Sequence, residues 1–385
     1  MKVVMLSRSV FPFHGYGGLE KFVYYLSKNL VKEGVDVEIL TSSDKSQVKK
    51  IDALKYTFIL PSVSIKYLDL PHLVRAGHLY LRYSMFINSA AKYLKKKNFD
   101  VLHSYEMAAQ KYLHFEKRSP TIVQAFNNEV CKVEGVKRIL WNPSVLQLRD
   151  CMMRCDVVAS EGKFQNEEIV KLFGVDKRKI IAIPVGVDLS FVERILEEST
   201  LLREQLGLVD KDFVLISVNR LTPVKGINYL VEAFSIIKSQ LENAKLLLIG
   251  AGSEEHRIKK QVHDLKIDES VLHLKNISES LLFSYYNLAD VYVSPTLQED
   301  FIIGILEAMA CGLPIVSTGQ DFLVHSGRNG YVVPKRNARA IADAVLKMYS
   351  KGECKTMGTV SREIVKDYDW RVIARKVIKE YNRLI

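Results

Sequence analysis

Apolar residues along this chain fall into two patterns. In VVMLS, DFVLISVN, AKLLLIG and DVYVSP they form short, nearly continuous runs, the pattern of strands buried on both faces. Between such runs they recur every three or four positions. Leu19, Phe22, Val23, Leu26 and Leu30 do so in LEKFVYYLSKNLVKEG, and Gly34 stands where a helix stop belongs. Strands that alternate with amphipathic helices predict parallel sheets covered by helices, an α/β doubly wound architecture.

The pattern occurs twice. The first passage runs from VVMLS through the loop PFHGYGG into a helix and then VDVEIL. The second runs from DFVLISVN through RLTPVKG into INYLVEAFSIIKSQ, then AKLLLIG, AGSEE, VLHLKN, a helix through LLFSYYNLA, DVYVSP, a helix through GILEAMACG, and PIVST. At 385 residues the chain exceeds the roughly 250–300 at which a single core stops growing. Pro184 and Gly186 in IPVGVD interrupt the pattern at its middle. Two Rossmann-like domains are therefore expected, 1–186 and 187–369. The amphipathic tail 370–385 is expected to cross back onto the first. Ligands of open parallel sheets bind beyond the carboxyl ends of the strands, so two such sheets facing one another would form a cleft.

Charge adds one feature. The formal net charge is +11, but residues 1–190 hold 29 Lys and Arg against 19 Asp and Glu, so nearly all the excess is in the first half. That asymmetry points to an acidic partner such as a membrane surface or a phosphorylated acceptor; no nucleic-acid-binding motif accompanies it. Within 65–97, Arg75, Arg82, Lys92, Lys95, Lys96 and Lys97 alternate with apolar residues. A helix there suits an anionic interface, and equally a core-facing helix with a solvated basic end. Five cysteines, an odd number, do not suggest a disulfide framework, and Cys151 and Cys155 lack a second ligand pair for zinc. No run of about 18 apolar residues appears, and KVVMLS is too short for a signal-peptide core. The expectation is a cytoplasmic protein, peripheral on the inner membrane face if it docks there.

The densest chemistry lies in LQEDFIIGILEAMACGLP. Glu299 and Glu307 bracket a helix start whose backbone N–H groups, from Phe301, Ile302 and Ile303 onward, suit a diphosphate. The two carboxylates suit neutral hydroxyls, Glu299 those of a sugar and Glu307 those of a ribose. They also suit the helix dipole with no ligand at all. Arg220 and Lys225, after another strand, could offset charge on a leaving diphosphate or be solvated loop cations. Gly17, Gly18, Gly250 and Gly252 would let backbone approach a ligand, or serve turn geometry. His103, which ends the strand in DVLHSYE, is first read as a packed or solvated histidine and second as a sugar or acceptor contact, and Glu20 and Tyr105 are acceptor candidates of the same kind. The Asp-x-Asp spacings at Asp210/Asp212 and Asp367/Asp369 read as loop acids, and no metal is expected.

Taken together, GYGGLEKF, IPVGVD, NRLTPVKG, LLLIGAG, the Glu-x7-Glu run with EAMACGLPIVST, GRNGYVVP and the Trp-bearing terminal helix resemble glycosyltransferase family 4 on the GT-B fold. The resemblance implies retaining, metal-independent transfer of a hexosyl group from a UDP- or GDP-linked sugar to a glycan or lipid-linked acceptor. It implies donor binding by the second domain and acceptor binding by the first. It also implies that Arg220 and Lys225 bind the diphosphate, that Glu299 contacts the sugar and that Glu307 contacts the ribose. Three positions depart from the pattern. Ile302 replaces a Gly and Val185 an Asn. Asn127 stands where the family carries a catalytic-site His, which keeps a hydrogen-bonding group and loses an ionisable one. A nucleotide-sugar epimerase, a phosphorylase or a non-catalytic nucleotide-sugar-binding scaffold are the competing readings.

Overall fold

The computed structural model describes residues 1–15, 17–43, 47–59, 72–126, 136–196, 202–297 and 303–385. They form two compact units, one of Met1–Val185 with Trp370–Ile385, the other of Gly186–Asp369. Gly186 thus falls in the second unit.

In the first unit, eight strands make one sheet: β1 (Lys2–Leu6), β2 (Asp36–Ser42), β3 (Gln47–Ile51), β4 (Leu54–Ile59), β5 (Val101–Tyr105), β6 (Thr121–Gln124), β7 (Val157–Ser160) and β8 (Ile180–Ala182). Their order is β3-β4-β2-β1-β5-β6-β7-β8. Every neighbouring pair is parallel except β3–β4. Helices α1 (Gly18–Lys32), α2 (His72–Leu94), α3 (Val136–Arg154) and α4 (Lys163–Phe173) connect them. All of β5, β6 and β7 is buried, as parallel strands covered by helices must be. The β3–β4 hairpin differs. β3 is exposed almost throughout, and its lysines keep an edge strand from pairing further. Asp52 and Ala53 turn the hairpin with φ of 50° and 63°, and the Tyr24 hydroxyl donates to Asp52 Oδ2 at 2.6 Å.

The second unit holds β9 (Phe213–Val218), β10 (Ala244–Ile249), β11 (Val271–Leu274), β12 (Val291–Ser294), β13 (Ile315–Ser317) and β14 (Gly330–Val332). They form an all-parallel sheet in the order β11-β10-β9-β12-β13-β14. Its helices are α5 (Leu189–Leu196), α6 (Leu202–Gln205), α7 (Ile227–Gln240), α8 (Glu255–Asp264), α9 (Glu279–Leu288), α10 (Ile303–Ala310), α11 (Ala338–Ser350) and α12 (Cys354–Val365). Both units are Rossmann-like, as expected of the GT-B architecture.

The last helix, α13 (Trp370–Leu384), belongs to the first unit. It buries Trp370, Ile373, Ala374, Val377 and Tyr381, one stripe at helical spacing. Trp370 meets Phe22 edge-on at 5.3 Å and stacks near Tyr25. Arg375 pairs with Glu33 at 3.0 Å.

Helix α2 divides its residues. Tyr83, Phe86, Ile87 and Leu94 enter the core, while Leu81 and Met85 stay exposed, 58% and 41%. Lys97, just beyond its end, reaches inward to Glu38, whose side chain is 2% exposed. Cys151 and Cys155 are buried thiols packed in this same core.

Glu38 sits near the start of β2 and accepts from Thr57 Oγ1 at 2.5 Å, Tyr93 OH at 2.8 Å and Lys97 Nζ at 3.1 Å. Burial alone would raise its pKa. The hydrogen bonds from Lys97, Thr57 and Tyr93 overcome this and lower it from 4.5 to about 2. A depressed carboxylate pKa stabilises the fold above the unfolded value, and that contribution fades as pH falls through the folded one. Glu38→Gln is therefore expected to lower stability at neutral pH and to flatten the loss of stability between pH 4.5 and about 2, as read by urea unfolding across that range. An unchanged acid limb would exclude Glu38 as its source.

Candidate functional site

In the second unit, β10 and β11 lie on one side of β9 and β12, β13 and β14 on the other. The connections therefore diverge between β9 and β12, where ligands of open parallel sheets bind. The loop after β9 carries Arg220, exposed, and Lys225, half-buried. The chain then enters α7 through Gly226, at φ 62°. A Cβ there would overlap the Pro295 carbonyl and lie 3.3 Å from Leu297 Cδ2. The loop after β12 is tied to the same place, since Leu297 N donates to Val224 O at 2.8 Å. Thr318 Oγ1 in turn donates to Thr296 O at 2.5 Å.

The loop after β10 is held just as closely. Leu221 N donates to Ala251 O at 2.9 Å, and Glu254 N to Leu221 O at 2.8 Å. Gly250, at φ 140°, has no room for a Cβ because the Asn219 carbonyl fills it; at Gly252 the Leu221 carbonyl does so. These two glycines were expected to admit a ligand. What the structure shows at both is the chain's own backbone in the space where each Cβ would be, which by itself requires glycine there.

Glu307 lies on α10 and is 7% exposed. The Tyr286 hydroxyl donates to its Oε2 at 2.9 Å. Burial, with the Glu307 charge, raises the Tyr286 hydroxyl far above its ordinary range, so it stays a proton donor. Gly304, one turn earlier, lets the helix sit close: a Cβ would stand 2.5 Å from Tyr292 OH and 3.3 Å from Val218 O. This contact brings the start of α10 against the end of β9, between the two loops. Ile303 is the first residue of α10. Glu299, Phe301 and Ile302 lie outside the described residues, as does Asn127.

In the first unit, Gly17 caps α1 with extended backbone, and both Gly17 and Gly18 are exposed. A Cβ on Gly17 would meet the Glu20 carboxylate. Glu20 is half-buried in the first turn. His103 and Tyr105 are interior residues, 0% and 1% exposed, which agrees with the packed reading of His103 and not with the acceptor contact offered beside it. His103 Nδ1 hydrogen-bonds Tyr381 OH at 2.7 Å, and its ring stacks on Tyr105 at 5.1 Å. Burial lowers the His103 pKa to about 3 against the opposing Gln124 side chain, so it is a neutral packing residue at any physiological pH.

Comparison with known proteins follows the same division. Residues 16–191 match the family model described as Glycosyltransferase Family 4, and residues 198–377 match Glycosyl transferases group 1. The chain is a family 4-type glycosyltransferase. It is similar over nearly its full length to an uncharacterized glycosyltransferase of Methanocaldococcus jannaschii, 25% identical over 99% of this chain and 98% of that one. It is also similar to a D-inositol 3-phosphate glycosyltransferase of Paenarthrobacter aurescens, 24% identical over 96% and 93%. Among solved structures it is similar in fold to HepE of Anabaena, determined with UDP and also with UDP-glucose: TM-score 0.74 and 18% identity, over 100% of both chains for the UDP complex.

In this glycosyltransferase, Tyr286, Gly226 and Gly304 shape the strand-end region; the sequence singled out neither Tyr286 nor Gly226, and Gly304 only for its backbone N–H. Gly226 follows Lys225 directly, and Gly304 lies three residues before Glu307 in the same run, so both were within reach. Tyr286 was not, since its partner is 21 residues away. The backbone fit at Gly250 gives a direct test. Gly250→Ala must move the Asn219 carbonyl and adopt an unfavourable φ, at an expected cost of about 2 kcal/mol or more. In urea unfolding this appears as a lower midpoint at unchanged slope. A midpoint equal to wild type would mean that the two loops are not held together this tightly.

Proposed function

We propose that this glycosyltransferase transfers a hexosyl group, with retention and without a catalytic metal, from a UDP- or GDP-linked sugar to a glycan or lipid-linked acceptor. In this reading the second unit holds the donor. Arg220 and Lys225 offset the charge of the departing diphosphate, Glu307 accepts from the ribose and Glu299 from the sugar. At the position where the family carries a His, Asn127 offers a neutral hydrogen-bonding group in place of an ionisable one. The observation that carries the reading is the convergence of the Arg220/Lys225 loop and the α10 start on the switch point between β9 and β12. HepE, solved with UDP-glucose, makes UDP the first donor nucleotide to try. The metal-free reading follows from assigning charge neutralisation to two cations and a helix N-terminus.

Saturating UDP or GDP is expected to raise the melting temperature, equally with and without excess EDTA. Arg220→Ala and Lys225→Ala should each weaken nucleotide binding about ten-fold, near 1.4 kcal/mol. Unchanged affinity in both variants would refute the phosphate assignment. A thermal shift that vanishes with EDTA and returns with manganese would refute the metal-free reading.

We further propose that the first unit, on the acceptor side, docks on the cytoplasmic face of an anionic membrane. Support comes from its positive excess and from α2, where exposed Leu81 and Met85 accompany Arg82 and Lys92. In liposome flotation, recovery should require anionic lipid and fall as salt screens the contact. Equal recovery on neutral and anionic liposomes, or none on either, would rule out electrostatic docking.

A further inference from the structure

The first unit has its own switch point, between β1 and β5, since β2, β4 and β3 follow on one side of β1 and β5 to β8 on the other. Three charged side chains from three segments gather beyond it. Arg8 follows β1, Glu106 follows β5, and Glu20 lies in the first turn of α1. Arg8 Nε stands 3.7 Å from Glu106 Oε2, and the Glu20 charge acts on both. Arg8 also lies over the ring of Tyr83, 5.4 Å from its centroid.

Glu106 is held there by its main chain. Its N–H donates to Gln124 O at 2.9 Å, and its φ is 54°, a left-handed conformation that glutamate seldom adopts. Such strain concentrates where a side chain must be aimed at a ligand. The pair is not sealed in the core, with side-chain exposures of 52% for Arg8 and 25% for Glu106. Partial burial raises the Glu106 pKa above its ordinary value, with Arg8 opposing and Glu20 adding to the rise. Among the described residues one guanidinium faces two carboxylates here, so they leave a negative excess inside a strongly basic unit. A phosphate entering here would meet like charge, whereas a hydroxyl would find acceptors.

We infer that Glu106, held by its main chain and paired with Arg8, accepts a hydrogen bond from the acceptor substrate, which presents to this crevice a neutral sugar or polyol hydroxyl and not a phosphate ester. The inference rests on the glycosyl-transfer reading above. It separates this chain from the phosphorylated acceptor for which several of its relatives are named, and it assigns the positive excess of the first half to the outer surface.

The test uses the full chain with whichever of UDP-glucose and GDP-mannose raises its melting temperature. Glucose, fructose and myo-inositol are each offered beside their own phosphate monoester, and initial rates are measured. The neutral member of at least one pair should show the larger kcat/KM. Glu106→Gln, which keeps the shape, should raise the KM for that acceptor about ten-fold with kcat little changed, as befits loss of a hydrogen bond to a charged group. Its melting temperature in the presence of donor should match wild type, which a purely structural role would not give. Preference for a phosphate ester, no turnover of any neutral acceptor, or an unchanged KM in Glu106→Gln would each overturn the inference while leaving donor binding intact. A chain stabilised by neither donor would fall with the donor reading itself.

Discussion

Main-chain groups leaving a buried strand must find new partners within a few residues, because water does not reach them there. In the second unit the strand-end loops satisfy this requirement with one another. The loop after β9 bonds on one side to the loop after β10, through Leu221, Ala251 and Glu254, and on the other to the loop after β12, through Val224 and Leu297. Close approach of this kind leaves no room for side chains, so glycine stands at 226, 250 and 252. Arg220 and Lys225 thus rise from a loop braced on both sides, and such bracing lets fixed charges act without first reorganising.

The parallel strands were legible because burial on both faces leaves an almost unbroken apolar run, as in β1, β9, β10 and β12. The helices were legible wherever one face alone is buried, most plainly in α1 and α13. The β3–β4 hairpin was not. Its first strand, QVKKI, is exposed and polar, and its turn uses Asp52 and Ala53 at positive φ without the glycine or asparagine that marks such turns.

In the candidate site, sequence patterning found residues but not their partners. Glu307 stood out, while Tyr286, which donates to it, looked like one more apolar position of α9. Gly250 and Gly252 stood out for a ligand, yet it is the Asn219 and Leu221 carbonyls that need the space. His103, at the end of a buried strand, could be read as packed from the sequence, but only tertiary structure reveals Tyr381 as its partner. Glu106 left a faint mark, a charge closing the apolar run DVLHSYE. Its backbone strain and its pairing with Arg8 do not show in one dimension.

The place of α13 bears on the order in which this chain assembles. Tyr381 and His103 are 278 residues apart, and closing so long a loop from an open chain carries an entropic cost that grows with its length. The second unit lies within that loop, and its two ends meet: Val187 bridges to Asp369, and Val187 N donates to Tyr368 O at 2.9 Å. Once the second unit folds, the path between the first unit and α13 shrinks to the width of a single bridge. The inserted unit thus shortens the chain path between the core of the first unit and the helix that supplies it with Trp370 and Tyr381. A folded second unit therefore lowers the entropic cost of completing the first.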